Sequence, residues 1–150
     1  GPRVHDSTTI QHVDPLPSRL VIVGGGFIGL EFAQMFARFG SQVILLEAGE
    51  TFAPALDSDI ATRVRGMLEG EGITVVTGAQ VTSFDDAGDH VDIVTGDRTF
   101  AADAVLVAAG RRPATEDLNL AAAGVATDER GYIIVDDQLR TNVEGGVRGR

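Results

Sequence analysis

A chain of 150 residues with 43% hydrophobic side chains is long enough for one globular domain with its own core. Its net charge of −10 argues against nucleic-acid binding, which needs a basic surface, and the absence of cysteine excludes disulfides and thiol redox chemistry within the chain. No apolar run in the sequence is long enough to span a membrane, and the histidines lack metal-ligand spacing. The start of the sequence lacks the charged-then-apolar pattern of a secretion signal, so we expect none. We therefore expect a cytoplasmic protein without a membrane, nucleic-acid or metal partner.

The first part of the sequence predicts a strand, a helix and a second strand. Residues 1–19 are polar and contain three prolines, which indicates an extended leading segment. Leu20 to Val23 is a short apolar strand, and Val43 to Leu46 is a continuous aliphatic run, as expected of a buried parallel strand. The helix between them ends at Gly40, and its apolar face at helical spacing consists of Ile28, Phe32, Met35, Phe36 and Phe39.

The next part predicts a second helix and a third parallel strand. Asp57 and Ser58 are candidate N-caps of the helix, which ends at Gly70 or Gly72. Ile73 to Val76 is the strand. The apolar face of the helix consists of Ile60, Val64, Met67 and Leu68.

An antiparallel meander follows in place of a further helix. The stretches Gln80–Phe84 and His90–Val94 alternate between polar and apolar residues, and a turn at 96–98 leads into Thr99 and Phe100. Ala104 to Ala108 then returns as a fourth parallel strand. The pattern predicts an α/β fold over residues 20–112, a Rossmann-like parallel sheet in which a three-stranded antiparallel meander forms the last crossover.

The turn after the first strand carries the spacing of the dinucleotide-binding fingerprint. Gly24 permits the tight turn, Gly26 lets the backbone approach a pyrophosphate, and Gly29 lets helix and strand pack closely. The pyrophosphate would lie at the N-terminus of the helix, where unpaired N–H groups and the helix dipole favour anions. The alternative interpretation is a glycine-rich turn that only packs the helix on the sheet.

An acid closes the second strand of this unit. Glu47 lies 18 residues after Gly29, where a carboxylate accepts hydrogen bonds from the adenosine ribose hydroxyls. The same carboxylate repels a 2′-phosphate, and residues 48–56 contain no arginine or lysine to bind one. The sequence therefore favours NAD, with NADH bound more tightly than NADPH, although a solvated acid at a strand end is the alternative for Glu47.

Further motifs accompany the fingerprint along nearly the whole chain. They comprise Asp6 to Thr8, Leu16 and Pro17, Gly24 to Ala33, Phe39 to Val43, Ala109 to Pro113, Ala123 to Val125 and Gly131 to Asp136. With these motifs the chain resembles the NAD(P)-binding domain of the FAD-dependent pyridine nucleotide–disulfide oxidoreductases, which include lipoamide dehydrogenase, glutathione reductase, mercuric reductase and NADH oxidases. It resembles most the mercuric-reductase-like branch that includes the reactive-chlorine-resistance flavoprotein.

The resemblance implies a cofactor site without a catalytic residue or a metal ligand in this chain. The implied cofactor-binding residues are Gly24, Gly25, Gly26, Phe27, Ile28, Gly29, Glu31, Glu47, Val81 and Gly110. Phe27 stands where relatives carry a bulky residue that covers the flavin until nicotinamide displaces it, and Glu31 matches an acid that pairs with a lysine of the FAD domain. Val81 matches an adenine contact, and Gly110 passes beside the nicotinamide.

Alternative roles for several of these residues stay open. Phe27 and Val81 are equally well explained by core packing, and Glu31 by the helix dipole acting on an acid in the first turn. Arg111 and Arg112 could contact phosphates or form an ion pair between domains.

The chain also departs from a complete member of the family. Such a protein carries an FAD domain with its own fingerprint, usually a redox-active cysteine pair, and a dimerisation domain, whereas this chain has one fingerprint and no cysteine. The resemblance therefore implies one domain of a larger homodimeric parent, inactive when isolated. Residues 113–150 would return toward the missing FAD domain and end in a disordered tail.

Two classes of function follow. In the first, the chain presents NADH for hydride transfer to the FAD of the parent protein, which passes electrons to a disulfide, a metal ion or oxygen. In the second, it is an isolated non-catalytic nucleotide-binding module that senses or scaffolds. A simple NAD dehydrogenase is a weaker third option, because 150 residues leave no room for a substrate domain.

Overall fold

A computed structural model describes residues 1–96 and 98–145. Asp97 of the predicted turn at 96–98 and residues 146–150 at the end of the predicted disordered tail lie outside the described residues. The chain divides into two compact units, Gly1–Gly110 and Arg111–Arg150. The first unit contains the elements that form the candidate site.

The first unit combines a parallel sheet, two helices and an antiparallel sheet. It begins with β1 (Val4–His5), a 3₁₀ turn (Thr9–His12), β2 (Arg19–Val23), α1 (Phe27–Phe39) and β3 (Gln42–Leu46). It continues with α2 (Ser58–Gly70), β4 (Thr74–Val76), β5 (Val81–Asp86), β6 (Val91–Thr95), β7 (Thr99–Ala102) and β8 (Ala104–Val107). The five parallel strands lie in the order β1-β8-β2-β3-β4, and β5-β6-β7 form the antiparallel meander. The predicted fold class is confirmed.

The parallel strands are buried on both faces, which explains why they are continuous aliphatic runs. Leu20 and Ile22 of β2 belong to a core cluster that includes Phe36 of α1 and Leu68 of α2. Val21, which points to the opposite face, belongs to a second cluster with β6, β7 and β8. The helices therefore cover one face of the sheet, and the meander covers the other.

Both helices bury narrower faces than the sequence predicts. Phe39 and Met67 are each 62% exposed and Ile60 is 43% exposed, so their predicted placement in the buried faces is wrong. The buried residues of α1 are Gly29, Ala33 and Phe36, and those of α2 are Ala61 and Leu68. Phe32 and Met35 of α1 and Val64 of α2 are partly buried and pack against the core cluster, as the sequence predicts.

Residues 1–19 take part in the first unit. β1 pairs in parallel with β8 at the sheet edge, and Ile10 is fully buried in the core cluster on the helix side. Asp6 accepts hydrogen bonds from the backbone N–H groups of Thr8 and Thr9, which shape the turn that brings Ile10 inward. The segment is thus tied to the sheet by a strand and by one deeply buried side chain.

The second unit is built mainly from turns. It contains a 3₁₀ turn (Glu116–Leu118) and an antiparallel bridge between Thr127 and Ile133. Asp128 closes the loop between the bridged residues by accepting hydrogen bonds of 2.9 Å from the N–H groups of Arg130 and Tyr132.

No helix within residues 1–96 and 98–145 is long and apolar enough to cross a membrane.

Candidate functional site

The candidate site lies where three neighbouring parallel strands end. β2 lies between β3 and β8, with Val23 in register with Leu46 on one side and with Val107 on the other. The glycine turn follows β2, Glu47 follows β3, and Ala108 follows β8. Ligands of open α/β sheets bind at this carboxyl edge of the strands.

The three glycines of the fingerprint have different steric surroundings. Gly24 has a φ of +111°, and a Cβ atom there would lie 2.6 Å from the carbonyl oxygen of Ala108. A Cβ atom on Gly29 would overlap the carbonyl oxygen of Gly24, so the bare backbone is what lets α1 pack against the end of β2. A Cβ atom on Gly26, in contrast, would have no protein atom within 4 Å. The fold itself requires Gly24 and Gly29, and Gly26 borders open space.

The first turn of α1 borders the same space. Gly26 is the N-cap, and the first intrahelical hydrogen bond runs over 3.0 Å from the N–H of Leu30 to the carbonyl of Gly26. The N–H groups of Phe27, Ile28 and Gly29 precede this bond and belong to the helix end that carries the positive partial charge. This helix end is therefore suited to hold an anionic group next to Gly26.

Glu47 ties the glycine turn to the loop after β3. Its Oε2 accepts a hydrogen bond of 2.9 Å from the N–H of Gly25, and its Oε1 accepts one of 2.9 Å from the N–H of Gly49. Its backbone is fixed as well, because its N–H donates to Val76 and its carbonyl accepts from Ala79. The half-buried carboxylate is thus held in one orientation beside the fingerprint and keeps further lone pairs for a ligand.

These elements enclose a cleft of about 370 Å³. Its walls come from the ends of the three strands, the start of α1 and the loop between β3 and α2. The lining residues are Val23, Gly24, Gly25, Gly26, Phe27, Leu30, Glu47, Ala48, Ala53, Pro54, Ala55, Leu56, Ala108, Ala109 and Gly110. Glu47 is the one residue in this lining with a polar side chain, as far as the described part of the chain shows. No group of His, Cys, Asp and Glu within that part could hold a metal ion.

Six of the residues predicted to bind the cofactor line this cleft. They are Gly24, Gly25, Gly26, Phe27, Glu47 and Gly110. Phe27 is 68% exposed at the rim, so its side chain does not serve the core and is accessible to a ligand.

The other four predicted residues lie outside the lining. Gly29 is buried on the face of α1 that packs against the end of β2, and Ile28 is half-buried. Val81 packs with the core cluster on the meander side. Glu31 is exposed, and because α1 begins at Phe27 its first turn contains no acidic residue, which corrects the expectation that this carboxylate benefits from a place in the first turn.

The loop between β3 and α2 forms a wall that the sequence did not reveal. Ala48 and residues 53–56 of this loop line the cleft. Phe52 and Ala53 are nearly buried, and Ala53 has a φ of +46°, so the loop folds back as a fixed structure. The signal in the sequence was the run of apolar residues from Phe52 to Leu56, which is unusual for an exposed connection.

Comparison with known proteins places this geometry in a family. The family described as pyridine nucleotide-disulphide oxidoreductase matches residues 1–145. The chain belongs to this family. Membership confirms the resemblance predicted from the fingerprint and the motifs that accompany it.

Relatives within the pyridine nucleotide-disulphide oxidoreductase family are enzymes. The chain is 42% identical over 143 residues to the probable pyridine nucleotide-disulfide oxidoreductase RclA of Escherichia coli, covering 95% of this chain and 32% of that protein. It is 38% identical over 152 residues to the dihydrolipoyl dehydrogenase of Thermus scotoductus, covering 97% of this chain and 33% of the relative. The chain therefore spans about a third of the length of these relatives.

Solved structures support the same assignment. The Cu(II) complex of the HOCl-induced flavoprotein disulfide reductase RclA from Escherichia coli superposes with a TM-score of 0.89 at 41% identity, over 95% of this chain and 32% of that one. With this TM-score and identity, the chain has the same fold as the matching third of that protein. The sequence predicted that the chain is most similar to the branch that includes the reactive-chlorine-resistance flavoprotein. The similarity to RclA is consistent with this prediction.

Proposed function

We propose that this chain is the domain that binds NAD(H) in a larger flavin-dependent oxidoreductase and presents NADH to FAD. The observation that carries the proposal is the space in front of Gly26. A Cβ atom there would contact nothing in the protein, although the glycines on either side, Gly24 before it and Gly29 after it, are sterically required. A dinucleotide pyrophosphate is the group for which such a space is suited.

The parts of the cleft support a placement for each part of a dinucleotide. The pyrophosphate would be held by the N–H groups that begin α1, since anions are stable at a helix N-terminus even without a cationic side chain. β3 lies on one side of β2, so the adenosine ribose would lie beside Glu47. β8 lies on the other side, so the nicotinamide end would lie toward Ala108 and Gly110.

Glu47 supports a preference for NAD over NADP. Each of its carboxylate oxygens already accepts one backbone N–H and can also accept a ribose hydroxyl. A 2′-phosphate would bring a second anion against this fixed carboxylate, and the cleft lining contains no cationic side chain within the described residues. We propose that NADH binds more tightly than NADPH by roughly tenfold to a hundredfold, equivalent to about 1–3 kcal/mol.

The remaining steps belong to the parent protein. NADH bound in this cleft would supply a hydride to FAD held by a domain outside this chain. The similarity to RclA, a flavoprotein disulfide reductase, supports the assignment of flavin to the parent. We propose that the parent is a cytoplasmic homodimer assembled through a further domain, and that this chain alone turns over no substrate.

Mapping the bound nucleotide by NMR tests this proposal. In a titration of the ¹⁵N-labelled chain with NADH, we expect the amide signals of Gly25, Gly26, Phe27 and Gly110 to shift together. Amides of the meander turn such as Gly88 provide the internal control, because they do not line the cleft. Shifts confined to residues outside the cleft would overturn the proposed site.

The absorbance spectrum of the purified chain tests where the flavin binds. The preparation should lack visible flavin absorbance, and a stoichiometric content of FAD would contradict the assignment of flavin to another domain.

A further inference from the structure

The loop between β3 and α2 is long for its place in the fold and is fixed in its first part. It comprises residues 47–57, whereas connections from a strand to a helix usually have about two to six residues. The N–H of Gly49 donates to Oε1 of Glu47 over 2.9 Å, and the carbonyl of Gly49 accepts a hydrogen bond of 2.9 Å from the N–H of Gly78. The second part of the loop supplies residues 53–56 to the cleft lining.

One large side chain lies behind this second part. Phe52 is 6% exposed and belongs to the core cluster that includes Leu45 of β3 and Ala61 of α2. Phe52 is not among the residues that line the cleft, although the four residues that follow it are. Its side chain therefore acts on the cleft through the backbone of the loop and not through contact with a ligand.

The backbone directly after Phe52 is held in a conformation that alanine rarely adopts. Ala53 has a φ of +46°, which lies in the left-handed region where a Cβ atom is crowded. The N–H of Leu56 donates to the carbonyl of Ala53 over 2.9 Å, and Leu56 packs against the same core cluster. Because such a conformation persists only where its surroundings impose it, buried side chains at both ends of the turn are what fix residues 53–56.

We propose that Phe52 is a positioning residue for dinucleotide binding, whose burial fixes residues 53–56 as a wall of the cleft before the ligand arrives. The role rests on the function proposed above, since it requires a dinucleotide in this cleft. A wall that is already ordered reduces the entropy that the complex loses on forming. Without the Phe52 side chain, the loop would have to be ordered by the ligand, and binding would weaken.

A matched pair of core substitutions separates this role from general stability. Phe36 belongs to the same core cluster and is 3% exposed, but it lies outside the cleft lining. In calorimetric titrations at a temperature where thermal melts show each chain to be folded, we expect Phe52→Ala to weaken NADH binding by about tenfold. Phe36→Ala should stay within about threefold of the unmodified chain, and Phe52→Leu should recover most of the affinity because leucine again fills the anchor position. Equal losses of affinity in Phe52→Ala and Phe36→Ala would overturn the positioning role.

Hydrogen exchange in the unmodified chain tests the same role without a substitution. We expect the Leu56 amide to be protected in the absence of ligand and to gain less than about threefold in protection when NADH saturates the cleft. A gain of tenfold or more would show that the ligand orders the loop, which contradicts a wall fixed by Phe52 and leaves the proposed function intact. No binding of NADH to the unmodified chain would overturn the proposed function and the role of Phe52 together.

Discussion

The carboxylate of Glu47 accepts a hydrogen bond of 2.9 Å from the backbone N–H of Gly25, across the gap between two neighbouring strand ends. The acid predicted to bind the ribose is therefore also a structural partner of the glycine turn. If Glu47 binds the ribose as proposed, binding of the nucleotide and order of the turn would be coupled through this one side chain.

Replacing Glu47 by glutamine should lower both stability and affinity for NADH. Glutamine offers one acceptor oxygen, whereas the carboxylate accepts N–H bonds from both Gly25 and Gly49. We expect a loss of about 1–3 kcal/mol in the free energy of unfolding, measured by denaturant titration, because one partly buried donor loses its acceptor. Glu50→Gln is the matched control, since Glu50 is an exposed neighbour outside the cleft lining. Equal effects of both substitutions would contradict this structural role.

Replacing Gly26 by alanine should impair NADH binding, whereas replacing Gly29 by alanine should lower the stability of the fold. Gly26 has extended backbone angles and free space around a Cβ atom, so we expect Gly26→Ala to melt like the unmodified chain but to lose most of its NADH binding. A Cβ atom on Gly29 would overlap the Gly24 carbonyl, and Gly29→Ala should cost about 3 kcal/mol or more. Circular dichroism melts and calorimetric titrations measure the two effects. Unchanged NADH affinity in a folded Gly26→Val variant would place the pyrophosphate elsewhere.

Two phenylalanines of α1 provide a second matched pair. Phe36 is 3% exposed in the core, and Phe36→Ala should cost about 3–5 kcal/mol of stability. Phe27 is 68% exposed at the cleft rim, so Phe27→Ala should leave the melting temperature nearly unchanged while it alters the fluorescence of bound NADH. A large loss of stability in Phe27→Ala would instead favour a core-packing role for this residue.

The ion pair between Arg19 and Asp103 should make stability depend on pH. Asp103 accepts hydrogen bonds from the guanidinium and the backbone N–H of Arg19, and the guanidinium contact above all lowers the pKa of the Asp103 carboxyl. A lowered pKa in the folded state contributes stability above the unfolded aspartate value of about 3.9, and the contribution is lost as the pH falls through the folded value. We expect Asp103→Asn to melt a few degrees lower at about pH 7, with the difference shrinking below about pH 4. A difference that stays constant with pH would contradict this assignment.

The sequence predicted the sheet, both helices and the meander because each has a strong local pattern. The aliphatic runs at β2 and β3, the fingerprint turn and the polar–apolar alternation of β5 and β6 each indicate one structure. β1 has only two residues and gains its structure by pairing with β8, so a local pattern could not reveal it.

The errors arose where tertiary packing decides the outcome. Periodicity placed Phe39 and Met67 on buried faces, but both side chains are 62% exposed. The buried positions are Gly29, Ala33 and Phe36 in α1 and Ala61 and Leu68 in α2. The glycine turn and Glu47 were predictable parts of the cleft because their spacing matches the dinucleotide-binding fingerprint. The wall at residues 53–56 was not predictable, since it depends on how the loop after β3 folds back over the cleft.

Side-by-side calorimetric titrations of the unmodified chain with NADH and NADPH are the sharpest test of the proposed dinucleotide site. We expect saturable binding of one NADH per chain, with NADPH weaker by roughly tenfold to a hundredfold because its 2′-phosphate meets the Glu47 carboxylate. Equal affinities for the two nucleotides would contradict the role of Glu47, and no heat of binding with either nucleotide at millimolar concentration would contradict the assignment of this cleft to a dinucleotide.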